Sequence, residues 1–386
     1  MRSLSISEMK SDNIKKLFQK LKKAYSVCPF RHLLLLISLL IIALFMISRN
    51  DRELMIYLSE NFISPFHSAL AVFNSNFSVS AAELLIIAAV VFAVAVTAWL
   101  IARIISGDKK LYRLYSWFMS LFSAACAVYA GFCVLWGVYY YGESFIEKSG
   151  LDDGEISVEQ LEKVTAYFAG MANEYSYKVN RDTDGVYAAD FDGIISKSDR
   201  VFENTVEEFP CLSGPDVKVK GFIHSKLLSY TDFTGFFFPF TAEANVNTDV
   251  PSAYFASTVA HELSHQRGIA QEQYANFAAV VASLNFGDPD YVYSACLLAY
   301  CHLGNALHNA DYDKWTAVYE TLNENVRADY AAEREYWRQF ETPVEAVSNT
   351  VYENFLYSYD QDLGLKSYGA CVDLLVNYYF SLLNNA

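Results

Sequence analysis

Ser257-Thr-Val-Ala-His261-Glu262-Leu-Ser-His265-Gln-Arg-Gly268-Ile-Ala-Gln-Glu272-Gln-Tyr-Ala-Asn276-Phe277 is the stretch that decides this chain. Residues four apart share one face of an α-helix, so His261 and His265 can point both imidazoles at a single ion. Glu262 stands beside them, placed to take a proton from a water that the ion activates. Zinc wants a third protein ligand. On an unbroken helix Glu272 would lie about 10.5 Å of rise beyond His265, too far for a bond of about 2 Å. Gly268 removes that difficulty. In a left-handed conformation it ends the first helix, and the chain folds back so that a second helix starts near Glu272. Asn276 is then one turn beyond Glu272 on the same face, where it can hold the other ring nitrogen of a ligating histidine. Gln271 is the competing third ligand, but a neutral amide is a poor one. Ala253 to Ala260 is apolar and leads into the motif, and Pro251 suits a first helical turn.

Outward from this stretch the chain has two unlike parts. Of its 29 Lys+Arg and 44 Asp+Glu, residues 1–139 hold 14 basic and 7 acidic, and residues 140–386 hold 15 basic and 37 acidic. A C-terminal part this acidic argues against nucleic acid as a partner, since phosphate binding needs clustered Lys and Arg. Leu33 to Ser48, Leu84 to Ala102 and Leu114 to Tyr141 are apolar runs of 16, 19 and 28 residues. The last two are long enough to cross the hydrocarbon core. The first has the length of a signal-peptide core, but Arg49-Asn-Asp-Arg52 follows it instead of a small-residue cleavage site, so it too reads as a span. Trp117, Trp136 and Tyr139 to Tyr141 lie near span ends, as an aromatic belt would.

The positive-inside rule sets the orientation. The tail carries Lys10, Lys15, Lys16, Lys20, Lys22, Lys23 and Arg31, and the loop between spans two and three carries Arg103, Lys109, Lys110 and Arg113. Both are expected in the cytoplasm, which puts everything after about Gly142 outside it. The sequence therefore predicts a basic cytoplasmic tail over 1–32, three transmembrane helices within 33–141, and an extracytoplasmic domain over 142–386. Phe62 to Phe73 is apolar but short and broken by Pro65; it reads as interfacial or re-entrant, with His67 and Glu83 at a membrane boundary.

Within 142–386, Ser157 to Ala172 reads as an amphipathic helix with Ser157 as N-cap and Gln160 completing a capping box. Asp182-Thr-Asp-Gly185 and Asp190-Phe-Asp-Gly193 read as turns. Phe202 to Phe209 reads as a short helix and Val217 to Ile223 as a strand. Gly235 to Asn247 reads as one extended segment, confined by Pro239 to a sheet edge. Ala275 to Leu284 and Tyr291 to Leu303 read as core helices, separated by Gly287-Asp-Pro-Asp290. The seven cysteines fit no CxxC pattern or disulfide framework, and any pairing among Cys211, Cys296, Cys301 and Cys371 stays open.

Glu272-Gln-Tyr-Ala275-Asn276 after HExxH looks like the gluzincin pattern ExxA(D/N). The ordered set Gly235-Phe-Phe-Phe-Pro-Phe-Thr-Ala-Glu-Ala-Asn-Val-Asn247, Pro251, His261 to Gly268, Ala275-Asn-Phe277 and Leu365-Lys-Ser-Tyr-Gly369 resembles family 3810 of domains of unknown function, from the first span to near the end. The resemblance implies a bacterial plasma-membrane protein with a mainly α, α+β zincin-like domain after its N-terminal α-helical transmembrane region. It supplies no substrate. One departure is Tyr274, where relatives often carry a second acidic residue, which leaves Glu272 as the acidic candidate there.

Two functions are expected from this pattern. The first is a zinc metallopeptidase with Zn2+ held by His261, His265 and Glu272, Glu262 as catalytic base and Asn276 behind a ligand. An edge strand bearing Phe237, Phe238, Phe240 and Glu243 would pair with a peptide or protein substrate at the outer membrane face. Glu243 would contact a substrate amine or cap a turn. Tyr336, Tyr368, His302 and His308 are candidate oxyanion donors. The second is a non-catalytic membrane-anchored binding or scaffold protein that retains a zincin-like fold.

Overall fold

The computed structural model describes residues 28–105, 109–152, 154–359, 361 and 368–385, together with Gln19 and Ser26. Most of the basic tail, Leu365 to Ser367 of the C-terminal motif, and the side chain of Tyr368 lie outside the described residues. The chain divides into two compact units, Met1–Asp51 with Leu84–Leu135, and Arg52–Glu83 with Trp136–Ala386.

The first unit holds the apolar helices Pro29–Ser48 and Lys110–Leu135 and all but the first turn of Ala81–Ile105. All three helices are long and apolar enough to cross a membrane. Their surfaces stay rich in exposed Leu, Ile, Val and Phe, a pattern that only a bilayer covers without cost. They mark a membrane-anchored protein. The third helix ends at Leu135, six residues short of the expected limit at Tyr141. Gly137–Tyr140 form a 3-10 turn instead, and residues 136–141 group with the second unit. The loop 52–83 joins that unit as well, so the compact bodies do not follow a cut at 141/142.

The second unit is built of helices around one small sheet. Strands β1 (Lys220–Phe222), β2 (Gly235–Phe238) and β3 (Glu243–Asn247) lie in the order β1-β3-β2, with β1 parallel and β2 antiparallel to β3. The expected strand near Val217 to Ile223 is thus present in shortened form. Gly235 to Asn247 is not a single extended edge. Pro239 cannot donate to a ladder, the chain turns over residues 239–242 with Ala242 at φ +53°, and it returns as the central strand. Among the proposed edge residues, Phe237 and Phe238 remain on edge strand β2. Phe240 lies in the turn and Glu243 on the central strand. Residues 201–208 form turns in place of the expected short helix.

Glu243 is buried, and its carboxylate has no room for substrate. It accepts the backbone N–H groups of Ala81 at 3.1 Å and Ala82 at 2.8 Å, and pairs with Lys220 Nζ at 2.5 Å. It therefore caps the first turn of the helix Ala81–Ile105, where unpaired N–H groups and the helix dipole favour a carboxylate. Lys220 Nζ also donates to the carbonyls of Asn74 (2.8 Å) and Val79 (3.1 Å). Ser80 Oγ donates to Asn245 Oδ1 at 2.6 Å, and Glu83 accepts the N–H groups of Ile223 and His224 at 2.9 Å each. The segment that precedes the second apolar helix is thus tied to the sheet by buried polar contacts.

The helices Val158–Tyr175, Phe255–Gln266, Glu272–Phe286, Pro289–Ala310 and Tyr368–Asn385 share the main core of this unit. The capping box at Ser157 and Gln160 forms as expected, with N···O distances of 2.7 and 3.2 Å. Gly287, at φ +77°, ends one core helix, and Asp288 with Pro289 starts the next. The HExxH helix itself starts at Phe255, so Pro251 stands ahead of its first turn and not in it. No disulfide is formed among the described residues.

Replacing Glu243 with Ala leaves Lys220 charged and buried and uncaps two N–H groups. The expected cost is about 3–5 kcal/mol, as for other broken buried pairs. Thermal unfolding of the detergent-solubilised full chain should show it, with exposed Lys218→Ala as control. A Glu243 that merely contacted substrate would leave the midpoint unchanged.

Candidate metal centre

The helix Phe255–Gln266 and the helix Glu272–Phe286 are joined by a turn that depends on Gly268, whose φ is +88°. A Cβ there would sit 3.0 Å from Cε1 of Tyr139, so backbone sign and space both call for glycine. The N–H of Gly268 bonds the His265 carbonyl at 2.9 Å, and that of Ile269 bonds the Ser264 carbonyl at 3.2 Å. The chain then reverses, and Glu272 opens the second helix facing the two histidines.

His261 Nε2 lies 3.0 Å from His265 Nε2 and 3.1 Å from Glu272 Oε2, while His265 Nε2 lies 3.6 Å from Glu272 Oε1. Behind them, His261 Nδ1 meets Asn276 Oδ1 at 2.8 Å and His265 Nδ1 meets the Ile269 carbonyl at 2.6 Å. Both Nδ1 partners are acceptors, so each Nδ1 carries a proton, and once His265 gives up its second proton both Nε2 atoms can turn a lone pair toward the shared centre. Two such lone pairs and a carboxylate converging on one point are a donor set that suits zinc. Donors on one tetrahedral zinc with bonds of about 2.0–2.1 Å stand about 3.3 Å apart, and the three separations scatter around that value. His261, His265 and Glu272 form the one such group of three among the described residues.

Glu262 lies against this centre, buried under the sheet. One of its oxygens, Oε2, has no hydrogen-bond partner. The Phe237 N–H donates to the carboxylate from strand β2. A Cβ on Gly235 would stand 2.7 Å from Glu262 Oε1, so only glycine lets β2 approach so closely. Burial pushes the Glu262 carboxyl up to about 7, against the pull of charge on His261 and His265. Burial alone would lower His265, but Glu272 raises it to about 9. Glu272 is itself held well below the usual carboxylate range: burial opposes this, and the two histidines outweigh it.

The structure thus brings together His261, His265, Glu272, Glu262 and Asn276. Gln271 precedes the second helix as its N-cap residue, without a side-chain cap hydrogen bond. The oxyanion candidates are scattered. Tyr336 bonds Ser229 Oγ and the Asp249 carbonyl. His308 packs on Trp315 at 4.7 Å. His302 is half-buried, and its ring is lowered to about 4, first by burial and then by charge on His261. Two further residues join the site without a local signal in the chain: Tyr352, whose hydroxyl donates to Glu272 Oε1 at 2.7 Å, and Trp136, whose ring meets that of His265 edge-on at 5.9 Å. Tyr352 comes from the distant helix Pro343–Ser358, and no spacing rule connects it to the motif. Burial and the Glu272 charge hold its phenol well above the usual value, so it stays a donor.

The chain belongs to the family described as "Protein of unknown function (DUF3810)", whose model matches residues 58–376. No curated protein and no solved structure matches it. The DUF3810 match takes in the whole centre and the second and third apolar helices. It begins after Pro29–Ser48, so the first span lies outside it, contrary to the wider resemblance expected.

Two outcomes follow for metal binding. The metal-free protein holds a proton on His265 until pH rises through about 9, so zinc must displace it at any lower pH. Affinity should fall roughly tenfold per pH unit below that point, and calorimetry in buffers of different ionisation enthalpy should detect the released proton. Asn276→Ala should weaken zinc binding by about 10–100-fold by freeing the His261 ring, measured by competition with a chromogenic chelator.

Proposed function

We propose that this DUF3810 protein is a membrane-anchored zinc-dependent metallopeptidase that acts outside the cytoplasm. The observation that carries the reading is the convergence of His261, His265 and Glu272 with buried Glu262 at their side and an edge strand above it. His261, His265 and Glu272 would hold the metal, which when bound polarises a peptide carbonyl and makes a water acidic enough to attack it. Glu262, raised toward neutrality, accepts the proton that the water loses and passes it to the leaving amine as the C–N bond breaks. The hydroxyl is added to the carbonyl carbon, so water is consumed and an acid and an amine are formed. Asn276 and the Ile269 carbonyl keep the two rings aimed, and Tyr352 steadies the carboxylate of Glu272.

The substrate would be a peptide or protein segment in extended form. Strand β2 pairs with β3 on one side only, and the Phe237 N–H on its other side already reaches Glu262. An added strand there would pass its backbone beside the base. The outward orientation is supported by the basic residues Arg103, Lys109, Lys110 and Arg113 between the second and third apolar helices.

Glu262→Gln keeps shape and removes the base. The full chain in detergent, incubated with a mixed peptide library and followed by mass spectrometry, should cleave about 10²–10⁴-fold more slowly as this variant, with zinc content unchanged. Equal product from both proteins, or none from the zinc-loaded wild type, would favour the non-catalytic scaffold.

A further inference from the structure

The segment between the first two apolar helices is buried along one side and carries exposed apolar residues along another. Arg52–Leu58, the π-turn Ser59–Ile63 and Ser64–Asn74 run nearly without a break. One side carries Met55, Ser59, Ile63, His67, Ala71 and Asn74, all buried. Ala71 packs with Val217, Ala242 and Phe237, and the His67 ring meets Phe237 at 5.6 Å. The other side leaves Phe62, Phe66, Phe73 and Phe77 at 54%, 49%, 60% and 52% exposure. Phe66 and Phe73 are two turns apart on one face, and Phe73 stacks edge-on with Phe77 at 5.6 Å. Ile223 and Leu227 add further exposed apolar surface. In water such a surface is unfavourable at about 25 cal/mol per Å².

We propose that this face is seated in the lipid bilayer, in the interfacial region of the leaflet next to the second unit. The occupant is set by where the chain goes. Phe77 and Val79 come just before Ala81, the first residue of a helix long and apolar enough to cross a membrane. Ala81, Ala82 and Glu83 are gripped by Glu243, Ile223 and His224 of this same unit. The second unit is joined to apolar helices at residues 51/52, 83/84 and 135/136, which on the three-span reading all fall on one membrane side. The exposed phenylalanines therefore lie, along the chain, directly before a helix suited to lipid, where an interfacial helix is expected. Trp136, the first residue past the third apolar helix, touches both Phe237 (4.9 Å) and His265 (5.9 Å).

Photo-crosslinking of the full chain in phospholipid nanodiscs tests this. Benzoylphenylalanine replaces Phe66, Phe73 or Ile223 one at a time, with Phe92 of the second apolar helix as positive control and exposed Tyr177 as negative control. Phospholipid mass adducts are expected at 66, 73 and 223, comparable to those at 92, and absent at 177. Adducts at 92 alone, or crosslinks from 66 and 73 to a second copy of the chain, would overturn the proposal. The readout needs neither metal nor hydrolysis, so its failure leaves the peptidase reading standing.

Discussion

The cluster of His261, His265 and Glu272 depends on the left-handed turn at Gly268. Without it, Glu272 would be carried up the helix axis and away from the histidines. With it, a local reversal puts a carboxylate within 3.1 Å of His261 Nε2 and 3.6 Å of His265 Nε2. The turn is held from outside by Tyr139, which fills the space where a side chain would project. A second close approach, Gly235 over Glu262, sets the edge strand directly on that carboxylate. Both glycines serve distance: one brings a ligand in, the other brings the strand down.

Local order made much of this readable. A four-residue helical repeat aligns two imidazoles, a glycine with positive φ breaks the helix, and Asn276 follows Glu272 by one turn. Each of these spans fewer than ten residues, so chirality and period decide it. The three apolar helices and the Ser157 capping box are readable for the same reason. What escaped is long-range. Glu243 caps residues 81 and 82, and Tyr352 reaches Glu272 across 80 positions. No pattern within a single segment contains either pairing.

The hairpin is an instructive intermediate. Its run of aromatic residues suits extended chain equally well as one strand or two. Pro239 was the visible break, yet it reads as an edge signal as easily as a turn. The outcome turned on Ala242 accepting a positive φ and on Glu243 finding Lys220 as a buried partner. Similarly, the Tyr-rich end of the third apolar run looks like membrane span by composition. The helix instead ends at Leu135, Trp136 packs on Phe237 and His265, and Tyr139 to Tyr141 pack on His67 and Tyr359.

The claim on which the functional reading rests is that three side chains hold one zinc ion. Elemental analysis of the full-length protein, purified in detergent without chelator, addresses it directly, with His261→Ala and Glu272→Ala beside wild type. The account predicts about one zinc per chain in wild type and a loss in both variants. Wild type without zinc, or zinc retained when Glu272 is replaced, would contradict it.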